Sequence, residues 1–183
     1  MLFPGGRLPL RIFEQRYMEM AKTCLKHNAP FGVCLIHEGK EVGEPAVPVG
    51  VGCVARIAEW DMPQLGVLQI VATGEARFRV LEHHAQRDGL LVGRVELLPP
   101  ETDGPIAPLY EPSVRLLERV IGQHAELFPA PHHLESAAWV SGRLAEILPL
   151  AVPAKQELLE LDDARVRLER INALLRASAR GAS

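Results

Sequence analysis

Five prolines, Pro99, Pro100, Pro105, Pro108 and Pro112, fall within fourteen residues and separate two stretches of different hydrophobic period. Each proline removes an amide donor and fixes its own φ, so no helix or sheet interior accommodates them at that density. Ahead of the cluster the apolar residues come in short runs and alternations, which is the period of strands; behind it they recur every three to four residues, which is the period of helices. The chain is therefore expected to be α+β. Residues 1–100 form a β-rich unit, 101–112 a proline-rich linker and 113–183 a helical unit.

Within the first unit, Phe3-Pro4-Gly5-Gly6 is a turn signal and Leu8 to Ile12 an extended segment. Pro9 suits a strand edge, since it has no N–H to give to a ladder. Phe13, Tyr17, Met20, Ala21, Cys24 and Leu25 follow at helical spacing, predicting a helix that lies on the sheet and ends near His27-Asn28-Ala29-Pro30. Phe31–Ile36 reads as a buried strand, with Val51–Trp60, Val67–Thr73, Arg77–Leu81 and Leu90–Leu97 as further strands. Turns are expected at Glu38-Gly39, Pro63–Gly66, Gly74-Glu75 and Asp88-Gly89, giving a small twisted sheet that closes on itself.

In the second unit Ser113 and Ser136 are candidate caps. The first would open a helix with Val114, Leu117, Val120, Ile121 and Phe128, the second a helix with Trp139, Val140, Leu144, Ile147 and Leu148. Pro149 stops that helix and Pro153 opens the next, whose apolar positions are Leu158, Leu159 and Leu161. Asp162 or Asp163 caps a last helix carrying Val166, Leu168, Ile171, Leu174 and Leu175. From about Ala177 the sequence reads as a disordered tail.

Composition excludes several classes of function. A formal charge of −3, with no basic excess in either half, argues against a general polyanion binder. The three cysteines, Cys24, Cys34 and Cys53, have no C-x-x-C spacing, which points away from a disulfide framework or thiolate zinc site and towards a reducing cytoplasm. No apolar run is long enough to span a bilayer, and Met1-Leu2-Phe3-Pro4 lacks the form of a signal peptide. At 183 residues and 48% hydrophobic content the chain can bury one core or two small ones.

The motifs of catalysis fail one by one. Gly39-Lys40 has Cys34 where a phosphate-binding loop needs its first glycine and Glu41 where it needs a hydroxyl, so a hairpin turn is the better reading. Gly50-Val51-Gly52-Cys53-Val54-Ala55 fits a loose dinucleotide pattern but leads into a strand rather than a helix. His83-His84 and His132-His133 have no second ligand one helical turn away. Ser141-Gly142 has Trp139 where a nucleophile elbow needs glycine, and none of Lys22, Lys26, Lys40 or Lys155 is flagged as the base of a Ser-Lys dyad. No catalytic residue, metal or cofactor is expected.

The segment from Phe3 to Tyr17, Phe-Pro-Gly-Gly-Arg-Leu-Pro-Leu-Arg-Ile-Phe-Glu-Gln-Arg-Tyr, closely resembles the opening of the substrate-binding domain at the N-terminus of Lon proteases. Phe31-Gly32-Val33, Val51–Ile57, Gly74–Val80 and Leu97–Glu101 resemble that domain's later blocks in order, and Leu148-Pro149-Leu150, Lys155–Glu160 and Arg167-Leu168 continue the likeness. Pro9, Phe13, Glu14, Arg16, Tyr17, Gly74, Arg77 and Phe78 are the signature residues. The chain resembles the stand-alone bacterial Lon-domain proteins, which lack the ATPase and protease modules of a full Lon. The family usually has several more residues ahead of Leu2-Phe3-Pro4, completing a first strand that is here mostly missing: either the start codon is misassigned or the sheet has a frayed edge.

The resemblance implies a PUA-like β pseudo-barrel followed by a C-terminal helical bundle. It also implies a non-catalytic role in binding unfolded or tagged polypeptides, acting beside a separate protease or chaperone; in the same family cereblon uses its Lon domain as an adaptor surface. From the residues, Trp60, Met62 and Leu65 are the best candidates for an apolar binding patch, because large apolar side chains in a polar turn mark such surfaces and methionine adapts to varied partners. The alternative is that this loop folds back and caps the barrel. Phe13, Tyr17 and Phe78 are expected in the core, and Glu14 is expected to take a structural guanidinium from the Arg77-Phe78-Arg79 strand. The rival function is RNA binding, through a stripe of Arg7, Arg11, Arg16, Arg56, Arg77 and Arg79. Glu14, Glu19, Glu59 and Glu75 interleave with these arginines and disfavour it. A free-standing enzyme is a third, weaker reading.

Overall fold

The computed structural model describes residues 1–38 and 47–181, so the expected Glu38-Gly39 turn and the Gly39-Lys40 pair lie outside the described residues. The chain divides into two compact units, Met1–Pro99 and Pro100–Ser183.

The first unit is a five-stranded antiparallel sheet with one helix on it. Strand β1 (Arg7–Ile12) leads into α1 (Gln15–His27), followed by β2 (Phe31–Glu38), β3 (Val47–Gln64), β4 (Val67–Ala85) and β5 (Leu91–Leu97). The sheet order is β1-β4-β3-β2, and β5 pairs with the second half of β4, on the side where β1 pairs with its first half. Among the described residues no ladder joins β1 to β2, so the sheet does not close through hydrogen bonds.

Two expected strands merge into β4, because Gly74-Glu75 is not a turn. Gly5 donates its amide to Gly74 O at 2.8 Å, and Gly74 donates to Gly6 O at 2.9 Å. A Cβ on Gly74 would come within 2.2 Å of the Phe3 carbonyl oxygen, so this glycine permits close backbone approach rather than chain reversal. Leu2 and Phe3 are thereby buried against the strand. True reversals occur at Gly66 and Gly89, each with a φ of 83° that favours glycine.

Helix α1 buries Met18, Ala21 and Cys24, and its core cluster includes Ile12, Leu68 and Ile70, with Tyr17 packed at the margin. Phe13 departs from expectation: it is 59% exposed. Ile12 is the last inward residue of β1, and the strand's two-residue period turns the next side chain outward before the helix begins. Phe78 does enter the core. A Cβ on Gly32 would lie 2.9 Å from its ring, and one on Gly52 would lie 2.7 Å from it, so two bare backbones make room for one aromatic.

The second unit contains α2 (Glu111–Gln123), α3 (Ala137–Ile147), α4 (Val152–Glu160) and α5 (Ala164–Gly181). Ser136 caps α3 by accepting the Trp139 amide at 3.0 Å, and Asp163 accepts the Arg165 amide at 2.8 Å at the start of α5. Ser113 is not a cap. Helix α2 starts earlier, at Glu111, and the Ser113 hydroxyl is buried, donating to Asn172 Oδ1 at 2.8 Å. Helix α5 continues to Gly181, past the point at Ala177 where the sequence reads as a disordered tail.

The segment 101–112 is hydrogen-bonded into this unit. Thr102 N donates to Asp162 O, Ala164 N to Thr102 O and Ala137 N to Gly104 O, and a short 3-10 turn spans Pro108–Tyr110. Asp103 accepts the Ser136 hydroxyl at 2.7 Å and the Ala138 amide at 2.8 Å. Burial alone would raise its carboxyl, but these bonds and those from Gly104 and Ala137 outweigh it and hold the group below the usual carboxylate range.

Candidate functional site

Strands β3 and β4 form a long hairpin whose far end carries the three apolar candidates. Trp60 is opposite Ile70, Asp61 opposite Gln69 and Gln64 opposite Val67, leaving Leu65-Gly66 as a two-residue turn. The expected loop around Pro63 is therefore mostly strand. Two register shifts, between Ile57 and Glu59 and between Asp61 and Gln64, break the side-chain alternation on β3. Every residue from Ala58 to Gly66 is exposed, whereas Val67, Leu68 and Ile70 on the returning strand are buried.

The tip presents Trp60 at 59% exposure, Met62 at 42% and Leu65 at 98%. Trp60 does not fold back as a cap. Asp61 accepts the amide of Met62 at 2.8 Å. Below them the hairpin is braced by Arg7, whose guanidinium donates to Glu59 at 2.6 Å. The arrangement offers shape and apolar area, with the Asp61 carboxylate between Trp60 and Met62.

Several signature residues make contacts within the first unit. Arg16 is buried, donates to Gly89 O at 3.0 Å, pairs with Glu14 at 2.9 Å and lies 4.8 Å over the Tyr17 ring. The guanidinium that reaches Glu14 is thus that of its neighbour two residues on, a short-range partner not anticipated from the strand. Arg77 is buried and its carbonyl accepts the Leu98 amide at 2.9 Å. Pro9 is exposed in β1, opposite Val71.

The arginines of the rival RNA stripe are largely committed. Arg7 pairs with Glu59, Arg16 with Glu14 and Arg56 with Glu75, while Arg77 is buried. Among the described residues no group of three or more His, Cys, Asp or Glu is placed to hold a metal ion. His132 instead bonds the Phe128 carbonyl and stacks near Trp139. No helix of the described residues is long and apolar enough to cross a membrane.

Comparison with known proteins gives this geometry a family. The model of the ATP-dependent protease La (LON) substrate-binding domain matches residues 1–177. A crystal structure of a Lon N-terminal domain protein from Xanthomonas campestris is 36% identical, with a TM-score of 0.77 over 94% of this chain and 92% of that one. The N-terminal domain of a Mycobacterium avium complex Lon protease shares the fold, at a TM-score of 0.61 and 16% identity over 93% of this chain and 90% of that one. The Lon protease of Anaeromyxobacter dehalogenans is 27% identical over 94% of this chain, which spans only 21% of that protein. Cereblon of Xenopus tropicalis is 29% identical over 54% of this chain, matching 22% of cereblon. The mixed α/β architecture and the antiparallel sheet agree with these structures, the family model spans nearly the whole chain, and the chain belongs to the family of the Lon substrate-binding domain.

Proposed function

We propose that this chain is a non-catalytic polypeptide-binding module that holds apolar stretches of unfolded or tagged proteins at the tip of the β3–β4 hairpin. The observation that carries this reading is the joint exposure of Trp60, Met62 and Leu65 on a hairpin whose returning strand buries Val67, Leu68 and Ile70. A tryptophan and a methionine combine large contact area with adaptable shape, which suits many sequences rather than one. On this reading the first unit is of PUA-like type and the helices of the second form the accompanying bundle. The module works in the cytoplasm, with any cleavage of the captured protein left to a separate protease.

A defined probe tests it: a reduced, carboxymethylated model protein that cannot refold, labelled for fluorescence anisotropy. The native chain is expected to bind it, and Trp60→Ala/Met62→Ala to bind at least about tenfold more weakly. Affinity should change little between about 50 and about 200 mM salt, whereas binding to phosphates would fall by orders of magnitude. Equal affinity of the double variant would remove the hairpin tip from the site. Saturable binding of single-stranded RNA with a steep salt slope would favour the rival class.

A further inference from the structure

Strand β5 ends the sheet beside β4, and two hydrogen bonds fix its phase. Gln86 N donates to Leu90 O at 2.8 Å at one end, and Leu98 N donates to Arg77 O at 2.9 Å at the other. In an antiparallel ladder, residues that exchange bonds with the neighbour alternate with residues whose N–H and C=O point away. Val92, Arg94 and Glu96 therefore face β4, and Leu91, Gly93, Val95 and Leu97 direct their backbone groups outward. The irregularity between Val80 and Glu82 adds its extra residue, Leu81, to β4, so the phase of β5 is unbroken.

Two of the other edge strands are protected. Strand β1 carries Pro9, which has no amide to offer, and the register of β2 against β3 shifts twice. Strand β5 has neither defence. Val95 is 43% and Leu97 63% exposed, and among the described residues nothing pairs with its outer side.

We propose that β5 pairs antiparallel with β5 of a second copy of this chain, about a two-fold axis at Val95. In this register Val95 meets its own counterpart, and Leu97 meets Gly93 of the other copy, so outward-pointing backbone groups face each other at every bonded position. The missing side chain at Gly93 leaves room for Leu97. That glycine is also required inside its own chain, since a Cβ there would come within 2.3 Å of the Glu82 carbonyl oxygen. Charge selects the register. Centring on Val95 sets Arg94 opposite Glu96 of the second copy twice over, whereas a centre at Arg94 or at Glu96 sets like charges directly opposite. Self-complementarity of this kind is what an isologous two-fold contact requires. This pairing is independent of the hairpin tip that holds polypeptide.

Sedimentation velocity of the full chain over a wide concentration range tests it. The native chain should form dimers as concentration rises. Arg94→Glu alone and Glu96→Arg alone should each weaken association by about tenfold or more, and an equimolar mixture of the two should restore it as a heterodimer, because each 94–96 contact is then of opposite sign. Val95→Pro removes only an outward amide, leaves the β4 ladder intact and should abolish the dimer, with circular dichroism confirming the fold. A native chain that stays monomeric, a Val95→Pro chain that still dimerises, or charge variants that do not complement would each overturn the proposal. A monomeric native chain whose binding of the unfolded probe is lost in Val95→Pro would instead assign the edge to an unlike strand.

Discussion

The guanidinium of Arg167 lies against the carboxylate of Glu101, both buried in the second unit and sixty-six residues apart in sequence. Nη1 donates to Oε1 at 2.7 Å, Nη2 also reaches the carboxylate, and Nε donates to the Ser141 hydroxyl at 2.9 Å. Removing one member leaves the other charge buried without its counterion. Glu101→Ala and Arg167→Ala are each expected to cost about 3–5 kcal/mol in urea unfolding. In a double-mutant cycle, the two changes together should cost far less than their sum.

Two glycines should respond to alanine with opposite signs. At Gly74 the added Cβ meets the Phe3 carbonyl at 2.2 Å, and relief requires the N-terminal segment to shift. Gly74→Ala should destabilise by about 1–3 kcal/mol or more. At Gly122, in the last turns of α2, nothing lies within 4 Å. Gly122→Ala should stabilise by about 0.5–1 kcal/mol, because the helix then gains a residue with less entropy to lose. Thermal melts of the two variants measure both.

Acid stability should depend on Asp163. The Arg165 side chain and then its amide hold the Asp163 carboxyl down to about 2. Between the ordinary carboxylate range and that value the folded state keeps the carboxylate ionised while the unfolded chain takes up a proton. The contribution to stability is therefore complete above about pH 4 and is lost as pH falls through about 2. Asp163→Asn should flatten the stability–pH curve in that window and leave its slope unchanged near neutrality.

The cysteines should be slow towards thiol reagents in the folded protein. Burial raises the Cys34 thiol to about 11 and pushes Cys24 upward as well. At pH 8 the thiolate that reacts is scarce at Cys34. Ellman's reagent should label the native chain slowly and all three sites quickly in denaturant; a fast stoichiometric phase in the native state would contradict the burial described.

Local pattern makes much of this fold legible. The reversal at Gly89 follows from residue type and flanking alternation, the turn expected at Pro63–Gly66 narrows to Leu65-Gly66, and the cap at Ser136 follows from a hydroxyl just ahead of a helical period. What escapes local pattern is set by distant chain. Gly74 reads as a turn until Phe3 is known to lie beside it, and Ser113 reads as a cap until Asn172 is known to take its hydroxyl. Phe13 reads as core because helical and strand periods overlap where β1 meets α1, and the strand period governs. Trp60, Met62 and Leu65 were legible as candidates by composition alone. Whether they fold back depends on where burial along β3 ends, and that is a property of the assembled sheet.

Arg16 touches Glu14 and Tyr17 beside it and the Gly89 carbonyl seventy-three residues further on. As the chain leaves the ribosome, α1 is made early with Glu14 and Tyr17 beside its buried guanidinium, yet the Gly89 carbonyl joins them only when the β4–β5 reversal has also emerged. The first unit is thus obliged to complete its folding late in its own synthesis, with the order of translation and the order of packing running apart.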